Sequence, residues 1–327
     1  MKPLFVLCLV VAGVLEARSD EASEAGPIEQ LVFVSCFKQT RPAPAMESIA
    51  ALKPDVFVWM GDNVYGDTED MAVLKQKYQV VKDLPAYQRV LKEATVLGTW
   101  DDHDYGDNDA GKEFPKRAES QQVFLDFIDE PEVSPRRKQE GVYGFRDFGP
   151  EGKQVRVILL DTRYHRDPIG SDGTMLGEAQ WAWLEQALVE SKASVNIVVS
   201  SIQFLPEGHR FEKWSNFPKE QKRMLDLLAR NEVPPVLFLS GDRHLAEISL
   251  DTERVGYPLY DITSSSLNLP LGGAKDEPNG HRVGRNFRPA NFGTLSFDWS
   301  RKIPVVTAAI RDQNGVPQRA VSIELSR

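Results

Sequence analysis

Within ten residues, Trp100 to Asp109, the sequence places five aspartates and one histidine: Asp101, Asp102, His103, Asp104, Asp107 and Asp109. That much like charge, arriving directly after the apolar run Thr95 to Gly98, needs cations once a compact domain draws it out of bulk water. A calcium loop of the helix-loop-helix kind is one local solution, with Asp102, Asp104 and Glu113 at its positions one, three and twelve. Its sixth position must be Gly for the sharp turn, and here it is Asp107. Asp102 and His103 are therefore read as joining metal ligands brought in from elsewhere in the chain. Two further motifs supply them. In Gly61-Asp62-Asn63-Val64-Tyr65 a carboxylate that can bridge two cations stands three residues before a phenol. Gly241-Asp242-Arg243-His244 sets a carboxylate and an imidazole at i and i+2, and His is the commonest metal ligand.

Each motif follows a short apolar run, and other runs end in the same way. Leu31 to Val34 leads to Ser35-Cys36, Val56 to Met60 to Gly61-Asp62, and Gln154 to Leu160 to Asp161-Thr162-Arg163. Asn196 to Ser200 leads to Ser201-Ile202-Gln203, and Val236 to Ser240 to Gly241-Asp242. Such runs read as strands buried on both faces. Helical patterns separate them: Glu47 to Leu52, Glu69 to Val81, Ala86 to Glu93, Lys116 to Phe127, Glu178 to Glu190 and Lys219 to Arg230. The alternation predicts an α/β core with mainly parallel strands, whose site lies beyond their carboxyl ends. After Ala246 come strands without helices between them, at Ile248 to Leu250, Leu259 to Thr263, Thr294 to Trp299, Val305 to Ile310 and Ala320 to Leu325. These suggest a second, partly antiparallel sheet packed on the first. The segment Ser264 to Phe292, rich in Gly, Pro and Asn, is a candidate lid.

With 41% hydrophobic residues, the 327-residue chain has ample material for a core. Its net charge of −9, with no basic block, excludes an electrostatic grip on a nucleic-acid backbone. Lys2, the apolar run Leu4 to Leu15 and Ala17 read as a signal peptide, too short to span a bilayer, for which about 20 residues are needed. The expected organisation is a signal peptide and N-terminal tail over 1–25, then one domain over 26–327. The mature chain begins between Arg18 and Gly26, is secreted or periplasmic, and has no membrane span after cleavage. Cys8 leaves with the signal, so Cys36 stays as a single thiol with no disulfide partner. Its alternatives are burial as a small hydrophobe or metal binding.

Taken in order, Ser35-Cys36-Phe37, Trp59-Met60-Gly61-Asp62-Asn63-Val64-Tyr65, Thr99-Trp100-Asp101-Asp102-His103-Asp104, Leu160-Asp161-Thr162-Arg163 and Ser240-Gly241-Asp242-Arg243-His244 carry a resemblance. The chain resembles the PhoD-like alkaline phosphatase and phosphodiesterase family, within the calcineurin-like metallophosphoesterase superfamily. Asn291-Phe292-Gly293 is similar to that family's closing motif. The resemblance implies a four-layer αββα sandwich with two mixed sheets, and hydrolysis of phosphate mono- or diesters. It implies iron (Fe3+) on Cys36, Asp62 and Tyr65, with Asp242 or His244 completing the cluster, and calcium (Ca2+) near Asp62 and Asp102. Gln203 stands where other branches of the superfamily carry a His ligand, which leaves an oxygen-rich divalent site and favours calcium over zinc.

Two cations would then clamp phosphate oxygens and acidify a water for in-line attack. Arg163, directly after a strand end, is expected to hold a non-bridging oxygen by a forked contact, with Arg166 and Gln203 as further substrate-binding residues. His103 is expected to protonate the leaving alkoxide. The partner is a small phosphate ester and the protein a monomer. Two rival readings are a secreted calcium-binding protein on the same fold without activity, and a hydrolase using Cys36 as nucleophile.

Overall fold

The computed structural model describes residues 26–272 and 277–326. The signal-peptide expectation for 1–25 therefore falls outside the described residues. Among those residues no helix is long and apolar enough to cross a membrane.

Among the described residues, twelve strands form two six-stranded sheets. In the first, β1 (Gln30–Val34), β2 (Val56–Met60) and β3 (Thr95–Thr99) run parallel, and β10 (Asn291–Asp298), β11 (Val305–Asp312) and β12 (Pro317–Glu324) extend it antiparallel from β1. In the second, β5 (Val155–Leu159), β6 (Val195–Ser200), β7 (Val236–Ser240) and β9 (Leu259–Ser264) are parallel. The flanking strands β4 (Gly144–Phe148) and β8 (Ala246–Asp251) are antiparallel to them. The parallel strands are buried over nearly their whole length, as their unbroken apolar sequences demand of strands covered on both faces.

Three apolar cores stack between the layers. Leu31, Phe33, Val56 and Val58 meet Val157, Ile197, Val199 and Leu239 between the sheets. On the outer face of the first sheet, Val32, Phe57 and Trp59 pack against α1 (Pro44–Leu52), α2 (Met71–Lys82), α3 (Pro85–Glu93) and α5 (Arg117–Phe127). On the outer face of the second, Ile158, Val198 and Phe238 pack against α6 (Gly177–Val189) and α7 (Pro218–Leu228). The four-layer αββα architecture with two mixed sheets is as expected.

Two expectations change. The strands after Ala246 do not form a sheet of their own: β8 and β9 complete the second sheet, and β10 to β12 complete the first. Local sequence carries periodicity but not pairing partners, and Gly293 marks the join, since a Cβ there would lie 2.1 Å from the Phe33 ring of β1. The segment after β9 is not a free loop along its described length. Phe287 and Val283 hydrogen-bond to Ala246 and Ile248 of β8, and Ser266 bridges Asn291 at the start of β10.

Candidate active site

The parallel strands of both sheets point their carboxyl ends to one edge, where the motifs gather. Cys36 follows β1, Asp62 follows β2, Asp101 and Asp102 follow β3, Arg163 follows β5, Ser201 follows β6, and Asp242 and His244 follow β7. Contacts between strand ends are very close. A Cβ on Gly61, whose φ is +100°, would meet Asp101 Cβ at 2.6 Å, and one on Gly241 would meet Ser35 Oγ at 2.5 Å. These glycines let the ends of β2 and β3, and of β1 and β7, touch. Cys36, Asp62, Asp242 and His244 all hold left-handed backbone, with φ of 56°, 52°, 56° and 53°. Non-glycine residues in that region cost about 1–3 kcal/mol each and gather where surrounding structure fixes a functional geometry.

Three carboxylates in this cluster behave differently. Asp104, fully buried, accepts from the backbone N–H of Asp62 (3.2 Å), Asn63 (3.2 Å) and Asp101 (2.6 Å), and from the hydroxyl of Tyr78 (3.2 Å). It ties the turn after β2 to a four-residue helix, α4 (Asp102–Tyr105), that opens the acidic stretch. Burial pushes its carboxyl up to about 7 despite those donors. Asp62 is raised well above the ordinary range by burial, then by the charges of Cys36, Asp102, Asp101 and Asp242. Asp102 goes the other way: burial raises it, but Arg163, His103 and the Asp109 N–H at 2.8 Å hold it low.

Ligand atoms of Cys36, Asp62 and His244 lie within 4.8 Å of one another, as do those of Asp62, Asp102 and His103, and of Asp101, Asp102 and Asp242. Asp62 and Asp102 link these groups, so the ends of four strands, β1, β2, β3 and β7, converge as one cluster. Tyr65 donates its hydroxyl to Asp62 Oδ2 at 3.1 Å. His244 donates Nδ1–H to the Leu269 carbonyl at 2.7 Å, which leaves Nε2 for the Cys36 side. Burial pushes the Cys36 thiol up, but the charge of His244 and hydrogen bonds from His244, Ser265 and Ser35 bring it down to about 6. The thiolate in turn raises His244 to about 9. The donor set fits cations. Asp62 Oδ1 and Asp101 Oδ2 are buried without hydrogen-bond partners, and a thiol held towards its thiolate form is the state that binds metal.

A cavity of about 460 Å³ opens above the cluster. Asp102, His103, Asp242 and His244 face it, with Asp109 and Glu212 beside them. His103 Nδ1 lies 2.6 Å from Asp67 Oδ1, and its ring lies against that of Tyr65, tilted by 36° with centroids 4.2 Å apart. Burial lowers the imidazole pKa, and the Asp67 hydrogen bond with the charges of Asp102 and Asp67 more than restores it, so His103 ends raised above its ordinary value.

The three substrate-binding expectations do not fit these positions. Arg163 is completely buried, with Nε 2.5 Å from Asp101 Oδ1 and Nη1 2.5 Å from Glu212 Oε2. Arg166 is bound to Glu212 and to the Asp109 carbonyl. Gln203 donates to Glu247 (2.9 Å) and Thr263 (2.7 Å). None of the three lines the cavity. The physical reason is charge balance: the carboxylates after β3 need fixed counter-charges within the protein, and Arg163 is the guanidinium that supplies one from the second sheet. Motif reading also passed over Asp67, Asp104 and Glu212. Asp67 had a signal, lying two residues past Tyr65, and Asp104 lay within the acidic stretch. Glu212 had none, since a loop after β6 brings it in.

His209, its ring centroid 6.3 Å from that of the cavity-lining Phe211, is 7% exposed and neither ring nitrogen has a hydrogen-bond partner. Burial, with Arg243 and Lys213 nearby, lowers it to about 3. Its folded pKa lies below the unfolded value of about 6.5, so this stabilising difference is complete above pH 6.5 and is lost as pH falls toward 3. His209→Gln is expected to remove a few kcal/mol of acid sensitivity. Urea midpoints at pH 7 and pH 4 check this, and equal losses in wild type and variant would refute it.

Two mixed sheets back to back between helices, with acidic strand ends converging on a cluster able to hold metal, define a protein of the metallophosphoesterase fold. The PhoD-like phosphatase family model matches residues 31–251, and the chain belongs to that family. The match ends before Asn291-Phe292-Gly293, which lies in β10. Alkaline phosphatase D of Bacillus subtilis (strain 168) is 24% identical over 210 residues, covering 54% of this chain and 36% of that protein. The aligned part thus spans about a third of that relative. A solved structure of PhoD superposes with a TM-score of 0.71 at 19% identity, covering 93% of this chain and 70% of the other. A dimetal phosphatase from Danio rerio gives 0.60 at 12% identity, covering 92% and 100%. GAP50, the anchor in the inner membrane complex of Plasmodium, gives 0.63 at 13% identity, covering 92% and 90%. At these identities the structures establish the shared fold.

Proposed function

We propose that this protein is an exported, metal-dependent phosphoesterase that hydrolyses phosphate mono- or diesters of small molecules, acting as a monomer. The observation carrying this reading is the convergence of Cys36, Asp62, Asp102, Asp242 and His244 beneath an open cavity. Cys36, Asp62 and Tyr65 would hold Fe3+, for which thiolate, carboxylate and phenolate are suited, with Asp242 or His244 completing the set. Asp62 and Asp102, with Asp101 and Asp242 alongside, would hold Ca2+ on the oxygen-rich side. Bound there, the cations would supply charge to neutralise phosphoryl oxygens and to acidify the attacking water.

The chain's own residues do the rest. Asp104 fixes the two turns that present Asp62 and Asp101, and Arg163 neutralises Asp101 without taking part in binding. His103, oriented by Asp67 and with its pKa raised by that contact, donates a proton to the leaving oxygen. Cys36 as nucleophile is disfavoured because its sulfur is fully buried and does not line the cavity.

Hydrolysis of p-nitrophenyl phosphate and bis(p-nitrophenyl) phosphate, with calcium and after chelation, tests the proposal. Turnover of at least one ester, lost on chelation and recovered with metal, is expected; a protein inert toward both would be a binding protein on this fold. Cys36→Ser is expected to lose iron and any charge-transfer colour, and full iron content in the variant would return Cys36 to a packing role.

A further inference from the structure

The rim of the cavity is built differently from its floor. Asp102, Asp242 and Glu212 make the interior acidic, whereas Ile169, Phe211 and Arg210 stand at the opening. Ile169 is 44% exposed, an apolar surface offered to whatever enters. The neighbouring guanidiniums are spoken for. Arg163 is paired with Asp101 and Glu212, Arg166 with Glu212, and Arg243 with Glu277. Arg210 is exposed, and no carboxylate among the described residues pairs with it.

Arg210 is nonetheless positioned. Its guanidinium lies over the Phe211 ring, 5.0 Å from the centroid. The ring is fixed in turn by Arg243, 4.6 Å from the same centroid, whose backbone N–H donates to Ser265 Oγ at 2.6 Å. Arg210 is therefore a cation with a set place and an open hydrogen-bonding fork, at the mouth of a cavity large enough for a phosphate and a ring-sized organic group.

We propose that Arg210 determines substrate specificity. The preferred substrates are phosphate esters whose leaving alcohol carries a second anionic group beyond an apolar segment. This rests on the phosphoesterase reading above, with the scissile phosphate on the cluster. The apolar segment of the alcohol lies against Ile169 and Phe211, and the second anion takes a charge-assisted, forked contact from Arg210. A neutral alcohol of the same size fills the apolar rim but leaves that fork to water.

Phenyl phosphate and 4-carboxyphenyl phosphate, assayed with the metal-loaded full-length protein, make the test. The measured quantity is the ratio of their kcat/KM values in wild type, Arg210→Gln and Arg210→Lys, so intrinsic differences between the leaving groups cancel. The wild-type ratio is expected to exceed the Arg210→Gln ratio by about tenfold, the worth of one good charged contact, with the Arg210→Lys ratio between the two. A ratio unchanged by Arg210→Gln, with both esters hydrolysed, overturns this proposal alone. No turnover of either ester overturns the phosphoesterase reading and this proposal with it.

Discussion

Asp62→Asn is expected to lower hydrolysis by more than a hundredfold and, at the same time, to raise the melting temperature of the metal-free protein. The first effect follows from position. Asp62 belongs both to the group with Cys36 and His244 and to the group with Asp102 and His103, so it is the carboxylate that couples the two halves of the cluster. Loss of an outer partner of a metal ligand typically costs about 10- to 100-fold, and loss of the shared ligand should exceed that.

The second effect follows from charge. Without cations, the Asp62 carboxyl is raised well above its ordinary value by burial and by the charges of Cys36, Asp102, Asp101 and Asp242. A carboxyl with a raised folded pKa favours the folded state while it is protonated, and that contribution is lost as pH rises from the unfolded value near 4 through the folded one. Chelated wild type is therefore expected to lose stability as pH rises above 4, and chelated Asp62→Asn to lose less. Thermal melts of both proteins in chelator between pH 4 and pH 8 measure the difference. A variant that melts lower than wild type at pH 8 would mean that the Asp62 carboxylate stabilises the empty fold, contrary to this account.

His103→Ala is expected to lower turnover by about 10²- to 10⁴-fold while metal content stays unchanged, the range for loss of a positioned general acid. The size of the loss should depend on the ester. A p-nitrophenyl leaving group departs without a proton, whereas an alkyl alkoxide needs one, so the variant should be most damaged toward alkyl esters. Asp67→Asn should act in the same direction and more weakly, because it leaves the imidazole in place. Its distinguishing readout is the pH profile. Asp67 raises the His103 pKa, so its removal lowers that pKa and moves the alkaline limb of kcat to lower pH. Equal losses on both classes of ester in His103→Ala, accompanied by reduced metal, would instead make His103 a ligand, as its place beside Asp62 and Asp102 permits.

The helices show where sequence reading reaches its local limit. Met71–Lys82 was legible as a periodic run, expected from Glu69 to Val81. It starts later because Asp70 caps it, its side chain accepting from Ala72 N–H at 2.8 Å. Strand β4 escaped notice because Gly144–Phe148 is an edge strand whose Phe145 and Arg146 face outward, so neither a buried run nor a clean alternation marks it. Within the site, Cys36, Asp62, Asp102, Asp242 and His244 were legible because each closes an apolar strand. The site of a parallel α/β sheet lies beyond such strand ends whatever the connecting lengths.

By itself the sequence determined that two kinds of segment alternate, that carboxylate, thiol and imidazole side chains cap the strands, and that they meet at one edge. These are local facts, set by apolar period, turn residues and residue type. Tertiary structure alone decided that the last strands divide between two sheets, that Asp67 orients His103, and that Glu212 enters from a loop. It also decided the fate of the arginines. Arg163 was the expected phosphate clamp because a guanidinium at a strand end has the right chemistry, yet it is sealed between Asp101 and Glu212, while Arg210 stands at the rim. Which cation faces substrate depends on which buried carboxylates must first be neutralised, and that balance is set by charges far apart in sequence that come together only when the two sheets pack.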